Sequence, residues 1–152
     1  MKDEIRVAGP EDYERIVAIV DDWWGRPISD KLPRLYLGHF WSTSRVAEDA
    51  SGLAGFLVGF VSPSQPGVAY AHFVAVRPDR RRTGLARALY REFEEVVAAL
   101  GCVEAHAITG PGNTDSIRFH RRIGFAVSAP VVGYNGPGRP MVTFRKALEC
   151  SA

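Results

Sequence analysis

The spacing of apolar residues divides the chain into strands and helices that alternate along its length. Segment 4–8, EIRVA, alternates apolar and polar positions like a strand, and Gly9 and Pro10 end it. Helical spacing then follows in two groups, of which the first is Tyr13, Ile16, Val17 and Val20. The second group predicts a further short helix from Leu32, Leu35, Tyr36 and Phe40.

From position 42 the pattern becomes extended, which indicates three consecutive strands. STSRVAE at 42–48 and GLAGFLVGFVS at 52–62 predict the two sides of a hairpin, and VAYAHFVAV at 68–76 predicts a third strand. Segment 84–100 then carries an apolar stripe at helical spacing and ends at Gly101. This segment predicts a long helix.

The last third of the chain continues the alternation. We expect a strand at 102–109, a short helix at 113–124, and strands at 125–132 and 141–148. The order is therefore β-α-α-β-β-β-α-β-α-β-β, with about seven strands and about four helices. This order predicts an α/β (α+β) fold in which the helices flank a mixed sheet.

The composition is that of an ordinary globular domain. Of 152 residues, 46% are hydrophobic and 24% are charged, which predicts one domain over 1–148 and a short tail at 149–152. The net charge of +2 is too small to predict binding to nucleic acid or to a membrane surface. The N-terminus is acidic, the longest apolar run is half a membrane span, and two cysteines suggest no disulfide framework. We therefore expect a cytoplasmic protein.

A cluster of positive charge is the main departure from this ordinary composition. Six arginines lie within the fifteen positions 77–91, and the run RRRTGLARAL at 80–89 falls where a strand gives way to the long helix. The free main-chain N–H groups and the positive dipole end of a helix bind phosphate. The small residues Gly84 and Ala86 would let a pyrophosphate approach the backbone. Solvent and a nucleic-acid backbone are the other two partners open to these charges.

The same run carries a family resemblance. Residues 81–86, RRTGLA, resemble the Q/R-x-x-G-x-G/A signature of the GNAT superfamily of acyl-coenzyme A-dependent N-acyltransferases, and the preceding VAVRPDR resembles the strand that leads into it. NTDSIRFHRRIGF at 113–125 is similar to the second family motif, N-x-x-[AS]-x-x-[FL]-Y-x-x-x-G-F. The element order extends the resemblance over nearly the whole chain. It implies a GNAT-like, mostly antiparallel central sheet, with acetyl-CoA as co-substrate and no metal.

The resemblance implies cofactor contacts residue by residue. The pyrophosphate of coenzyme A would be cradled, largely by main-chain N–H groups, by Arg81, Arg82, Thr83, Gly84, Leu85 and Ala86. The pantetheine arm would pair with the main chain of Val74 and Val76, and Asn113 and Ser116 would line the cofactor. The resemblance also implies direct attack of an amine on the thioester, whose carbonyl the N–H of Val74 would polarise.

Where the second family motif most often has tyrosine as the acid, this chain has His120. Histidine can protonate a leaving thiolate because its unperturbed pKa of about 6.5 leaves part of it as imidazolium near neutrality. The alternative is a histidine that is hydrogen-bonded at the helix surface and takes no part in the reaction.

Two residues of the strand at 68–76 are candidates for the base that takes the amine proton. Alternation places Tyr70 and His72 on the same face as Val74 and Val76. Members of the family carry Glu or His at such positions and usually relay the proton through water, which favours His72 first and Tyr70 second. The choice among His72, Tyr70 and a water chain stays open, as does a purely structural histidine.

The resemblance places acceptor binding in the first two helices and the last loops, here DDWWGRP at 21–27 and VGYNGPGRP at 132–140. Asp21 and Asp22 could hold a cationic amine, and three aromatic residues could contact it: Trp23, Trp24 and Tyr134. The alternative is a helix end with solvated acids and with tryptophans packed in the core. The sequence does not identify the acceptor, which could be a small-molecule amine or a protein amine.

Two other classes of function stay open beside an N-acetyltransferase. One is a non-catalytic acyl-coenzyme A sensor. The other is a nucleic-acid binder that uses the arginine run, against which the small net charge argues. Small proteins with exposed final strands often dimerise, so a homodimer is open as well.

Overall fold

A computed structural model describes residues 4–149 of the chain, and its strands form one sheet. The strands are β1 Glu4–Val7, β2 Arg45–Asp49, β3 Gly52–Val61, β4 Val68–Val76, β5 Glu104–Thr109, β6 Ala126–Val127 and β7 Val142–Ala147. The helices are α1 Asp12–Val17, α2 Val20–Trp24, α3 Arg34–Phe40, α4 Leu85–Ala99 and α5 Thr114–Arg122. Among them, no helix is long and apolar enough to cross a membrane in the part of the chain that is described.

The sheet has seven strands in the spatial order β1-β2-β3-β4-β5-β7-β6. Every neighbouring pair is antiparallel except β4 and β5, which run parallel, so the predicted mixed and mostly antiparallel sheet is confirmed. The parallel pairing covers only Val68 to Tyr70 on β4 and Glu104 to His106 on β5. Beyond those residues the two strands no longer pair, which opens a gap between their C-terminal ends.

Each face of the sheet is covered by its own apolar core. The face under α4, which we call the α4 face, carries a buried cluster that includes Leu57, Ala69, Ala71, Leu85, Leu89 and Phe93. The opposite face, which we call the α1–α3 face, carries a second cluster that includes Ile16, Val20, Leu37, Phe56, Val58 and Phe73. Burial of a large apolar side chain contributes about 1.5–3 kcal/mol, so these two clusters hold the helices on the sheet.

Strand β4 contains a bulge that reverses its side-chain alternation. Val58 of β3 pairs with Phe73, but the next residue, Gly59, pairs with Ala71, so His72 has no partner on β3. An extra residue in one strand shifts every later side chain to the other face. Val74 and Val76 therefore pack on the α4 face, whereas Phe73 and Ala75 join the α1–α3 face.

The bulge makes one expectation from the sequence wrong. Alternation predicted that Tyr70 and His72 share a face with Val74 and Val76. Both aromatic residues instead lie on the α1–α3 face, where Tyr70 is 5.5 Å from Phe60 and His72 is 3.9 Å from Tyr36, measured between ring centroids. The two valines lie on the other side of the sheet, because the inserted residue separates the two pairs.

Two further elements differ from the sequence prediction. The first predicted helix is two helices, α1 and α2, separated at Ala18 and Ile19. The apolar stripe continues across the break because Ile16 and Val20 are both fully buried. The strand predicted at 125–132 shrinks to β6, since Pro130 lacks the N–H that a ladder needs and only an isolated bridge at Val131 follows. The single domain over 1–148 stays a prediction, and of the tail at 149–152 only Glu149 lies among the described residues.

Candidate active site

The gap between β4 and β5 contains a cavity of about 360 Å³ that is bounded by the starts of α4 and α5. It brings together many residues that the sequence assigned to the cofactor, namely Val74, Val76, Arg81, Ala86, Asn113 and Ser116. His120 and Trp24 also line it. Residues from four separate stretches of sequence therefore meet at the place where the sheet opens.

The main chain of β4 presents hydrogen-bonding groups to this cavity. The N–H of Arg77 donates to the carbonyl of Ala54 on β3 at 2.8 Å. Because alternate residues of an antiparallel strand turn their polar groups to opposite neighbours, Phe73 and Ala75 also face β3. The N–H and C=O groups of Val74 and Val76 consequently face the gap, where β5 does not pair with them.

The turn before α4 has the backbone of an anion cradle. Arg82 has a φ of 60° and Gly84 a φ of 87°, so two residues in the left-handed region turn the chain into the helix. The N–H groups of the first helical turn have no partners within a helix. A Cβ at Gly84 would meet no atom within 4 Å, so the backbone conformation rather than packing favours glycine. Leu85 is buried in the core and offers only its main chain.

The six arginines within 77–91 include structural and exposed members. Arg77 donates to Asp49 and Asp79, each at 2.6 Å, and Arg80 donates to Asp49 at 2.9 Å. The Arg77 guanidinium holds the pKa of Asp49 well below its usual range. These two arginines therefore tie the β2–β3 turn to the end of β4. Arg81 donates to the carbonyl of Trp23 at the end of α2 and also lines the cavity.

In the turn before α4, the side chains of Arg82 and Thr83 are exposed to solvent. On the opposite wall, the Asn113 side chain caps α5. Its Oδ1 accepts from the N–H of Ser116 at 3.3 Å, and its Nδ2 donates to Oγ1 of Thr109 at 3.1 Å. The cap fixes the start of α5 against β5, so both residues hold their places at the cavity.

His120 is buried, with 4% of its surface exposed, rather than lying at the surface of α5. Its Nδ1–H donates to the carbonyl of Ser116 at 2.7 Å, so its Nε2 accepts from the hydroxyl of Tyr90 at 2.8 Å. Burial lowers the pKa of His120 to about 4. The histidine is therefore neutral at pH 7 with both nitrogens engaged, which does not support the expected supply of imidazolium near neutrality.

His72 has a different arrangement on the α1–α3 face. Its Nε2–H donates to the carbonyl of Lys31 at 2.7 Å, in the 3₁₀ turn Ser29–Lys31, and its ring stacks on Tyr36. Burial lowers its pKa, so it too is neutral at pH 7. Within residues 4–149, no group forms a hydrogen bond with Nδ1 of His72. Burial raises the pKa of Tyr70, which keeps its proton and is a poor base at neutral pH.

The five expected acceptor residues occupy different environments. Both carboxylate oxygens of Asp21 are taken, by the N–H groups of Ile28 and Ser29 and by the Ser29 hydroxyl. Asp22 is exposed. Trp23 is only 7% exposed and packs on Phe56, which favours the alternative of a tryptophan packed in the core.

Two aromatic residues remain at accessible positions near the site. Trp24 lines the cavity, with its ring 5.7 Å from that of Phe73. Tyr134, in the β6–β7 loop, is 46% exposed and lies close enough to Tyr70 to raise its pKa. Trp24 therefore borders the cavity between β4 and α5, whereas Tyr134 borders the side of the sheet where His72 lies.

Sequence reasoning missed two tyrosines that the structure places beside the candidate histidines. Tyr36 was assigned to an apolar helix stripe, and Tyr90 belongs to the buried side of α4. Each lies about thirty or more positions from the histidine that it contacts, so no local motif could have paired them.

Comparison with known proteins decides the family. The model of the acetyltransferase (GNAT) family matches residues 7–125. The chain belongs to the GNAT acetyltransferase family. It is accordingly an acetyltransferase, of a family that uses acetyl-CoA as the acyl donor.

Individual relatives agree with this assignment. The chain is 33% identical over 149 residues to L-methionine sulfoximine/L-methionine sulfone acetyltransferases of Pseudomonas aeruginosa and Pseudomonas paraeruginosa, covering 88% of this chain and 87% of each relative. Its fold matches a GNAT-family protein of Desulfovibrio desulfuricans with a TM-score of 0.80 at 21% identity, over 97% of this chain and 99% of that one. The ribosomal-protein-S18-alanine N-acetyltransferase of Escherichia coli matches with a TM-score of 0.75 at 17% identity, over 99% and 97%.

Proposed function

We propose that this protein transfers an acetyl group from acetyl-CoA directly to the primary amine of a small molecule. The observation that carries the proposal is the cavity at the open end of β4. There, the unpaired main chain of Val74 and Val76 meets the positively charged start of α4. An extended polar arm and a pyrophosphate need those two surfaces side by side.

The residues around the gap fit coenzyme A as a ligand. Val74 and Val76 would hold the pantetheine arm by main-chain hydrogen bonds, as a neighbouring strand would. The turn from Arg81 to Ala86 would hold the pyrophosphate through its N–H groups, with Arg81 and Arg82 adding charge-assisted donors. Asn113 and Ser116 would contact the cofactor from the α5 side.

Acetyl-CoA supplies an activated acetyl group as a thioester. The N–H of Val74 would stabilise the negative charge that develops on the carbonyl oxygen. The Nδ1 of His72 would take the proton from the acceptor amine, directly or through water, because neutral amine is the nucleophile. After the attack, the nitrogen loses its second proton to solvent or to the departing thiolate as the C–S bond breaks. A neutral His120 would not act as the acid, and a thiolate of ordinary pKa about 8.5 can leave without one.

The choice of a small-molecule acceptor rests on the curated relatives. Both act on L-methionine sulfoximine or L-methionine sulfone, which are amino acids with a primary amine. L-Methionine sulfoximine is therefore the first amine to assay. A protein amine is the second class, since one of the fold neighbours acetylates a ribosomal-protein alanine.

The test combines cofactor binding with turnover. At acetyl-CoA concentrations about a hundredfold above its Kd, ligand binding stabilises a protein by about 2.7 kcal/mol, which raises Tm by about 5–10 °C for a domain of this size. Ala86→Glu should weaken binding at least about a hundredfold, because a carboxylate would stand in the proposed pyrophosphate site. Thiol release in the presence of L-methionine sulfoximine would then establish transfer.

Ala99→Glu is the matched control, since it makes the same change at the exposed far end of α4. It should bind acetyl-CoA like the wild type. Equal binding by Ala86→Glu and Ala99→Glu would refute the cradle. Binding without thiol release for any amine would favour the acyl-coenzyme A sensor, whereas no coenzyme-specific shift, together with salt-sensitive DNA or RNA binding, would favour the nucleic-acid binder.

A further inference from the structure

The imidazole of His72 is held from two directions by residues outside its own strand. The carbonyl of Lys31 accepts from its Nε2–H, and the ring of Tyr36 covers its face. We infer that Tyr36 is a positioning residue, which together with the Lys31 carbonyl presents Nδ1 of His72 to the acceptor amine. The inference rests on the proposed function, in which His72 is the base.

The stacking geometry constrains the plane of the imidazole. The ring centroids of Tyr36 and His72 are 3.9 Å apart and the rings lie within 3° of parallel. The other ring contacts of Tyr36, with Phe40 at 6.1 Å and Phe60 at 6.5 Å, are longer and tilted. The close parallel contact is therefore specific to His72 among these neighbours.

The hydrogen bond to Lys31 fixes the tautomer. A carbonyl oxygen only accepts, so Nε2 carries the hydrogen of the neutral ring and the lone pair is on Nδ1. The turn that carries Lys31 is itself fixed, because Asp21 accepts from the N–H groups of Ile28 and Ser29 at 2.7 Å each. Two connected contacts thus lead from Asp21, in the first turn of α2, to the imidazole.

This arrangement gives a balanced proton transfer. The N–H bond of the acceptor ammonium breaks as an N–H bond forms at Nδ1, which yields a neutral amine and an imidazolium. The imidazolium keeps its Nε2–H on the Lys31 carbonyl, so no other group has to move. The new positive charge is partly offset by that carbonyl and by the face of the Tyr36 ring, since cations are attracted to aromatic faces.

The groups that face His72 are uncharged, so burial is the main influence on its pKa. They are the rings of Tyr36, Tyr70 and Phe73 and the carbonyl of Lys31. Within residues 4–149, no carboxylate or cationic side chain forms an ion pair with the imidazole. Burial lowers the pKa of His72, and the tyrosine ring supplies part of that burial.

The decisive measurement is the tautomer and pKa of each histidine, read from long-range 1H–15N NMR spectra of the free protein. In the wild type we expect His72 as the Nε2–H tautomer, with a pKa below the ordinary value of about 6.5. In Tyr36→Leu the imidazole loses the ring that holds its plane and can turn away from the Lys31 carbonyl, so we expect mixed tautomers and a pKa that rises toward the ordinary value. Tyr36→Phe keeps the aromatic face and should restore the wild-type signals.

Phe40→Leu is the matched control for loss of a large side chain from α3. Phe40 contacts Tyr36 and Phe60 but not His72, so this change should leave the tautomer and pKa of His72 unaltered. His72→Gln assigns the resonance. If Tyr36→Leu leaves both quantities unchanged, or if Phe40→Leu alters them equally, the positioning role is overturned.

Kinetics separates this inference from the proposed function. With L-methionine sulfoximine as the probe amine, Tyr36→Leu should lower kcat about tenfold without changing the KM for acetyl-CoA, since misplacing a catalytic group slows the reaction. Tyr36→Phe should recover most of that loss. If the His72→Gln variant acetylates L-methionine sulfoximine and every other tested amine as fast as the wild type does, the base assignment is refuted. The NMR result would still decide whether Tyr36 positions the ring.

Discussion

His72 and His120 are the same chemical group on opposite sides of the sheet, and their surroundings give them different capabilities. Both are kept neutral at pH 7 by burial. His120 uses both nitrogens on Tyr90 and Ser116. His72 uses only Nε2, and its Nδ1 has no partner within residues 4–149. A lowered pKa therefore identifies neither histidine as a catalyst, and the free lone pair distinguishes them.

The protonation of His120 shows how strongly burial acts against an acid role. With a pKa of about 4, only about one molecule in a thousand would carry imidazolium at pH 7. A base, in contrast, gains from neutrality, because an unprotonated ring can accept a proton at once. The same physical effect therefore argues against the acid role of His120 and leaves the imidazole of His72 unprotonated, although a lowered pKa does not by itself make His72 a stronger base.

The largest effect is expected from His72→Gln, which removes the free lone pair that distinguishes His72 from His120. Glutamine can still donate to the Lys31 carbonyl but cannot accept a proton at neutral pH, so we expect kcat to fall by about 10²–10⁴-fold. We expect Tm to change by no more than about 2 °C, because the half-buried ring keeps a polar, space-filling replacement. Steady-state kinetics and calorimetry on the same preparation check both statements.

His39→Gln is the corresponding control, since His39 is exposed at the end of α3. It should leave kcat unchanged. A His72→Gln enzyme with a kcat within about threefold of wild type would remove the base role and leave a water chain as the proton acceptor.

The half of the site that we propose for the cofactor could be predicted from the sequence, because the residues that form it are close together in the chain. A strand, a glycine turn and a helix start follow one another between Val68 and Ala99, and their order alone places free N–H groups beside arginines. The structure brings Val74, Ala86 and Asn113 to one cavity, as those motifs indicated.

The half that holds the proposed base could not be predicted, for two physical reasons. An alternating pattern does not reveal an inserted residue, so the bulge at His72 is invisible until β3 is paired with β4. The contacts that decide what each histidine can do come from Tyr36, Lys31 and Tyr90, which belong to other elements. Residue types and spacing identified both histidines, but only the tertiary contacts separate them.

A smaller effect should appear in the pH dependence of stability. The folded-state pKa of His120, about 4, lies below the unfolded value of about 6.5, so the unfolded chain binds the extra proton as pH falls. The stabilisation is present above about pH 6.5 and is lost progressively toward pH 4, with about 2 kcal/mol lost between pH 7 and pH 5. His120→Phe should remove this contribution. Urea unfolding at pH 7 and pH 5 measures how much unfolding free energy each protein loses between the two pH values. Equal losses in the wild type and in His120→Phe would contradict the buried, neutral state of His120.

The smallest effect is the coupling between Tyr90 and His120. Each single replacement by phenylalanine leaves a buried polar partner without its hydrogen bond, at a cost of about 1–3 kcal/mol. The double variant Tyr90→Phe/His120→Phe removes both partners, so it should be more stable than the sum of the single changes predicts, by about 1–2 kcal/mol. Unfolding free energies of the four proteins at pH 7 complete the cycle. Additive costs would mean that the 2.8 Å contact contributes nothing to the stability of the fold.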